Sequence, residues 1–153
     1  MTIKETLKNY GITSVYHFTD KENITSIEKY GLQSLSNILK LNIDVKHFGA
    51  EELSHKLDKN RGLDKYVHIS FIKDHPMYYI SKSRGNLKNP VWIEFDSSIL
   101  YESTTLFCDT VANSSNADIF GICKILDKIN LEILTNNKFL SGEEFNIRKD
   151  VRK

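Results

Sequence analysis

The chain has 153 residues, and its 21 basic side chains nearly balance its 20 acidic ones, giving a formal net charge of +1. This length predicts one domain with a real hydrophobic core, and the balanced charge does not by itself select a nucleic acid as the partner. No apolar run approaches the roughly 20 residues of a membrane span, and the N-terminus lacks the apolar core of a secretory signal, so we expect a cytoplasmic protein.

The first half of the chain is predicted to combine short helices with two strands. In chain order these are a helix over 2–9, a strand over 13–18, a helix ending at Tyr30, a helix near 50–57, and a strand over 66–71. Thr19 or Asp20 is expected to cap the second helix, because Thr19 with Glu22 matches a capping box. Gly31 is expected to stop that helix.

The second half is predicted to be richer in strands. The expected elements are a helix opened by Pro76, strands over 90–95 and 104–108, a polar loop over 109–118, a helical pattern from Ile119 to Ile129, a strand over 131–134, and a helix from Ser141. Pro76 suits the first turn of a helix, where its missing N–H costs nothing. Helices of uneven length between these strands favour an α+β fold over regular βαβ alternation.

Several kinds of site are excluded by missing motifs. The sequence has no glycine-rich dinucleotide or phosphate loop, no Gly-x-Ser-x-Gly, and no His-Glu-x-x-His. Cys108 and Cys123 lack zinc-ligand spacing, and no two histidines are three or four residues apart, as one helix face requires. We therefore expect no metal site.

The most informative stretch is Val15–Asp20, which is followed by Ile24, Ile27 and then Gly31-Leu32. It places His17 and Thr19 at the end of a strand that runs directly into a helix. Free backbone N–H groups at a helix start favour the binding of a ligand there. The alternative is a core histidine beside a threonine that only caps the helix.

Three later blocks follow in a fixed order: Tyr66–Phe71 before His75-Pro76-Met77, then Val91–Asp96, then Asp109–Ser114. Together with Tyr16–Thr19 and Gly31-Leu32, they resemble the DarT family, toxins that use NAD to ADP-ribosylate bases of single-stranded DNA. The resemblance covers roughly residues 13–120. It implies an ADP-ribosyltransferase-like split β-sheet with flanking helices, formed as a single domain over residues 1–153.

The resemblance also implies which residues bind NAD. His17 and Arg61 would be catalytic, and the residues that hold NAD would be His17, Thr19, Gly31, Leu32, Arg61, Tyr66 and His68. A guanidinium suits a pyrophosphate through its fixed fork of donors. The alternative for Arg61 is a solvated side chain in a charged loop.

Single-stranded DNA would contact His75, Arg84 and Asn113. The first two belong to a small basic cluster near aromatic residues, and Asn113 lies in the polar loop. Cations that meet phosphates and rings that stack on bases suit a single strand. A solvated face and ordinary turn residues are the alternatives.

The sequence departs from the family in one respect. The family's late strand carries an Ala-Glu pair, whereas here Glu143 and Glu144 precede or open the last predicted helix. Glu94 and Glu132, on predicted strands, do not match the family position either. This departure predicts a chain truncated at its C-terminus, a pseudo-enzyme, or a variant that takes its carboxylate from elsewhere.

Three functions therefore stand side by side. The first is a DNA ADP-ribosyltransferase in a toxin–antitoxin pair, opposed by a macrodomain antitoxin that removes the ADP-ribose. The second is a catalytically impaired module of the same fold that binds NAD or a partner. The third is an ADP-ribosyltransferase that acts on protein or RNA.

Overall fold

The computed structural model describes residues 1–50 and 52–136. Within these residues the helices and strands, in chain order, are α1 (Ile3–Asn9), β1 (Ser14–Asp20), α2 (Ile24–Tyr30), α3 (Leu35–Lys40), α4 (Glu52–Asn60), α5 (Pro76–Ser83), β2 (Pro90–Asp96), β3 (Phe107–Cys108), β4 (Ile119–Phe120), α6 (Ile125–Lys128) and α7 (Leu131–Thr135). β1 pairs with β2, and β3 pairs with β4, in two small sheets. The expected α+β class is confirmed.

The chain divides into two compact units. The described part of the first unit is residues 1–15 and 94–136. Its buried apolar side chains include Leu7, Ile12, Leu100, Phe107, Phe120, Ile125, Leu131 and Leu134. β3 and β4 are antiparallel, with Phe107 opposite Phe120 and Cys108 opposite Ile119. The Asp109 carboxylate accepts the Asp118 N–H at 3.0 Å and closes the loop that joins them.

The second unit is residues 16–93. An aromatic cluster joins α5 to the two longer strands: the Phe18 ring lies 5.8 Å from Tyr78 and 5.5 Å from Trp92, and Tyr78 lies 4.9 Å from Trp92. Two of these pairs are edge-to-face, the arrangement that aromatic quadrupoles prefer. α5 begins at Pro76, as predicted, and its residue Tyr78 packs its ring against Phe18 on β1 and Trp92 on β2.

The predicted strand Tyr66–Phe71 is wrong. Only Ser70 forms a β-bridge, exchanging two backbone hydrogen bonds of 2.8 Å with Tyr16. The His68 carbonyl, which a strand would offer to a neighbouring backbone N–H, bonds instead to the His17 side chain. A long-range side-chain contact has replaced the ladder that the β-propensity of this segment predicts.

The predicted strand over 131–134 is also wrong, because α7 lies there. The Asn130 side chain accepts the Ile133 N–H at 3.0 Å, an N-cap that selects the helix. The strand predicted over 104–108 is limited to β3, and Ile119, predicted to be helical, belongs to β4. Apolar residues at irregular spacing are compatible with both a helix and a strand, so the sequence pattern alone does not distinguish the two here.

No described helix is both long and apolar enough to cross a membrane. The helix predicted from Ser141, with Glu143 and Glu144, lies outside the described residues. That residues 1–153 form a single domain stays a prediction.

Candidate functional site

The candidate site lies in the second unit, around His17 on β1. The His17 Nδ1 atom lies 2.8 Å from the backbone carbonyl oxygen of His68. A carbonyl oxygen can only accept, so Nδ1 carries the hydrogen and donates it. In the neutral ring Nε2 is then an acceptor, and the histidine offers a ligand one fixed lone pair.

His17 is held in its neutral form. Burial lowers the pKa of His17, and the hydrogen bond to the His68 carbonyl, which favours the charged ring, only partly opposes this effect. At pH 7 the side chain is therefore an acceptor at Nε2, which suits a hydroxyl group as partner. Below the lowered pKa this acceptor would be lost.

Thr19 is buried two residues further along β1, with 7% of its surface exposed. Its Oγ1 accepts a hydrogen bond from Asn23 Nδ2 at 3.2 Å, so its own hydroxyl hydrogen is left for an acceptor. Asn23 Nδ2 also donates to the His47 carbonyl at 2.7 Å, and Asn23 Oδ1 accepts the Lys46 N–H at 2.9 Å. Asn23 thereby ties the segment after α3 to the end of β1.

Of the two predicted caps, Asp20 is confirmed, because its side chain caps the turn that leads into α2, and the Thr19 capping box is wrong. The Asp20 Oδ1 atom accepts the Glu22 N–H at 3.0 Å, and Oδ2 accepts the N–H groups of Lys88 at 2.7 Å and Asn89 at 2.8 Å. Burial would raise the pKa of this carboxyl, but the three backbone donors outweigh burial and lower it. Asp20 thus anchors both β1 and the approach to β2 as a charged group.

We expect Asp20→Asn to lower the free energy of unfolding by about 2–4 kcal/mol at pH 7, because the amide turns a donor toward buried N–H groups. Since the pKa of Asp20 is lower in the folded chain, its stabilising effect is complete above about pH 4 and fades as the pH falls. The difference between variant and wild type should therefore shrink in acid.

Urea unfolding from pH 3 to pH 7 measures this difference. Glu22→Gln is the matched control, because the Glu22 side chain is about half exposed and should contribute under 1 kcal/mol. Equal losses in the two variants would contradict an anchoring role for Asp20.

Asp20, Glu22 and His47 also form one group of possible metal ligands, with ligand atoms within 4.8 Å of one another. The Glu22 carboxylate already lies 2.9 Å from His47 Nε2, and both oxygens of Asp20 accept backbone hydrogen bonds. These contacts account for the group without an ion.

Arg61 follows the last turn of α4 and is exposed. Its backbone N–H lies 3.2 Å from the carbonyl oxygens of Leu57 and Asp58, which ends the helix. Gly62 then takes a φ of 70°, a left-handed conformation that favours glycine and turns the chain toward Leu63–Lys65. The guanidinium is close enough to the Asp58 carboxyl to favour its charged form.

His68 contacts both Asp58 on α4 and His17 on β1. Its carbonyl binds His17, its Nε2 atom lies 3.2 Å from the Leu63 carbonyl oxygen, and its Nδ1 atom lies 3.9 Å from Asp58 Oδ2. The structure therefore brings His17 and His68 together and places Asp58, one turn before Arg61, near the His68 ring.

The other residues predicted to bind NAD lie elsewhere in the second unit. Gly31, at a φ of 76°, ends α2, and Leu32 follows it. Tyr66 closes the turn over Leu63–Lys65 and is 39% exposed. Their contact with NAD stays a prediction.

The residues predicted to bind DNA are divided between the units. His75 caps α5, and its Nδ1 atom accepts the Met77 N–H at 3.2 Å. Arg84 is exposed at the other end of this helix. Asn113 lies in the first unit, in the polar loop between β3 and β4.

Glu94 and Glu132, considered above as alternatives to the family's late glutamate, both lie within the described residues. Glu94 lies on β2, as expected, and is exposed. Glu132 lies in α7 and not on a strand, and is likewise exposed. Both belong to the first unit.

A family model for the ssDNA thymidine ADP-ribosyltransferase DarT matches residues 16–152, which is most of the chain. The chain belongs to the DarT family. Its α+β fold is accordingly ADP-ribosyltransferase-like, as the order of the sequence blocks indicates. A search of curated proteins found no match.

Two residues of this DarT chain were not singled out as functional from the sequence. Asp58 looks like part of a charged loop but is a buried helical residue, and Asn23 joins Thr19 to His47. For Asp58 the sequence carries no signal of this burial, because the helix buries this carboxyl and leaves Leu53 and Leu57 exposed, the reverse of its hydrophobic pattern. For Asn23, partners 24 residues away leave no local pattern.

Proposed function

We propose that this protein transfers ADP-ribose from NAD to a thymine base of single-stranded DNA. The match to the DarT family across residues 16–152 carries the proposal. The neutral His17 at the end of β1 supports it, because its free Nε2 acceptor suits a ribose hydroxyl.

In this reaction the bond between the ribosyl anomeric carbon and the nicotinamide nitrogen breaks, and nicotinamide leaves. The anomeric carbon then bonds to a ring nitrogen of the base, which loses its proton. Positive charge develops on the ribose, so fixed positions and an oriented electrostatic field supply much of the rate.

Each predicted residue has a part in this reaction. His17 Nε2 accepts from the ribose, the Thr19 hydroxyl donates to an acceptor on the cofactor, and the Arg61 guanidinium pairs with the pyrophosphate. Gly31, Leu32, Tyr66 and His68 complete the cofactor site, and His75, Arg84 and Asn113 contact the DNA strand.

Labelled NAD incubated with single-base oligonucleotides tests the proposal. Label should appear on oligo-dT and not on oligo-dA, oligo-dC or the duplex. Label on protein or RNA instead would favour the third function considered above. Binding of NAD by calorimetry without label on any acceptor would favour the impaired binding module. No heat at millimolar NAD would contradict both transferase functions and would favour a module that binds a partner.

A toxin–antitoxin role is part of the same proposal. A modified base in a template strand would block replication, so expression in the cytoplasm, where DNA and NAD are both present, should arrest growth. Co-expression of a macrodomain hydrolase that removes ADP-ribose should restore growth. Arrest that also appears with a His17→Asn variant would contradict the role.

A further inference from the structure

We propose that the outer face of α5, formed by Tyr79 and Lys82, binds single-stranded DNA: the Tyr79 ring stacks on a base, and the Lys82 ammonium group pairs with a phosphate. The two residues lie between His75 and Arg84, at the ends of the same helix, whose contact with DNA the sequence predicts. The inference rests on the proposed function, which supplies the DNA strand as the partner.

The first observation is that α5 has one packed side and one side open to solvent. The Tyr78 ring packs against the two longer strands, and Ser81, three residues later, is buried and donates its hydroxyl hydrogen to the Gly49 carbonyl. Tyr79 and Lys82 have the same spacing, which places them on one face of the helix, and both are exposed. The outer face therefore carries a ring next to a cation.

The second observation is that the Tyr79 ring is exposed but held in place. The residue is 54% exposed, and its hydroxyl donates to Asp74 Oδ1 at 3.3 Å. The Tyr78 ring lies 5.3 Å away at 80° and supports one side of it. A ring that is already oriented loses little conformational freedom on binding. Such a ring stacks on an unpaired base, because every base has a π face.

The third observation is the charge around α5. Residues 73–89 contain four lysine or arginine side chains and one acidic side chain, Asp74. The whole chain has 21 basic and 20 acidic residues, which leaves 17 basic and 19 acidic residues elsewhere. The positive charge of the chain is thus concentrated in the segment that contains α5, where it complements the phosphates of a nucleic acid.

The ring and the charge together select a single strand over other anionic partners. A duplex offers phosphates, but its bases stack on one another and are not open to the Tyr79 ring. An acidic peptide offers negative charge without a regular set of bases. A single strand offers both phosphates and open bases, and both groups of the outer face then have a partner.

Two variants of the full chain separate the stacking contact from the charge contact. Tyr79→Ala removes the ring, and Lys82→Gln removes the charge. Tyr79→Phe keeps the ring and gives up the hydrogen bond to Asp74. Tyr30→Ala is the matched control, because Tyr30 on α2 is 45% exposed and the Lys29 Nζ atom lies 4.8 Å from the centre of its ring.

The first measurement is the Kd for labelled oligo-dT, from fluorescence anisotropy without NAD at several salt concentrations. Tyr79→Ala should raise the Kd about tenfold or more, whereas Tyr79→Phe and Tyr30→Ala should stay within about twofold of wild type. Lys82→Gln should reduce the slope of the logarithm of affinity against the logarithm of salt concentration by about 0.7, the value for one phosphate of a single strand. Tyr79→Ala should leave this slope unchanged.

The second measurement uses a strand of the same length that keeps the sugars and phosphates but has no bases. Wild type and Tyr79→Ala should bind this strand equally, and Lys82→Gln should bind it more weakly than either. Equal Kd values of wild type and Tyr79→Ala for oligo-dT would overturn the proposal, as would an equal loss on both strands or a wild type that does not bind oligo-dT. A wild type that shows the expected binding but labels no base would contradict only the proposed function.

Discussion

Replacing His17 by asparagine should abolish measurable NAD binding while leaving the free energy of unfolding within about 1.5 kcal/mol of wild type. An asparagine amide reaches the position of Nδ1 and can donate to the His68 carbonyl, so it preserves the structural bond. It has no atom at the position of Nε2, where the ribose hydroxyl would bind. The substitution therefore distinguishes the structural role of Nδ1 from the ligand-binding role of Nε2.

Calorimetry with NAD and urea unfolding of the same preparation give the two quantities. His17→Gln is the complementary variant, since its longer amide places an oxygen near Nε2 and gives up the bond to His68. We expect it to bind NAD weakly and to be the less stable of the two. Unchanged NAD affinity in His17→Asn would remove His17 from the site.

Arg61→Ala should weaken NAD binding by roughly 1.5–3 kcal/mol, the range for a hydrogen bond to a charged group. The residue is exposed at the end of α4, so its loss should hardly change the stability of the fold. If Arg61 also assists transfer, kcat should fall in addition to the affinity for NAD.

Arg61→Lys gives the matched comparison. Lysine keeps the charge but lacks the planar fork of donors, so it should recover only part of the lost affinity. Titration with NAD at two salt concentrations would measure the charge contribution, which salt screens. A loss in Arg61→Ala that cannot be distinguished from zero would return this residue to the solvated-loop interpretation.

Local signals predicted several elements well. The helix predicted over 2–9 is found as α1, where the structure shows a capping box between Thr2 and Glu5, and Pro76 predicts the start of α5. The β-forming run Pro90–Phe95 is found in β2 with one more residue. In each case the deciding interaction lies within a few residues of the chain.

Elements that depend on distant partners were predicted poorly. Tyr66–Phe71 has the composition of a strand, but its His68 carbonyl is bound by a side chain 51 residues away. The buried face of α4 carries Asp58 and not Leu53, the reverse of what hydrophobicity predicts. Propensity describes a residue by itself, whereas these outcomes depend on which neighbour occupies the space.

The sequence by itself determined the family, the α+β class and the position of His17 and Thr19 at the end of β1. Only the tertiary structure decided which nitrogen of His17 carries the hydrogen, that Asp58 is buried, and that His68 lies between them. The physical reason is the distance along the chain between interacting residues. Helix caps and strand runs are determined by residues that are close in sequence. A tautomer or a buried carboxyl is set by hydrogen-bond partners that folding brings from distant parts of the chain.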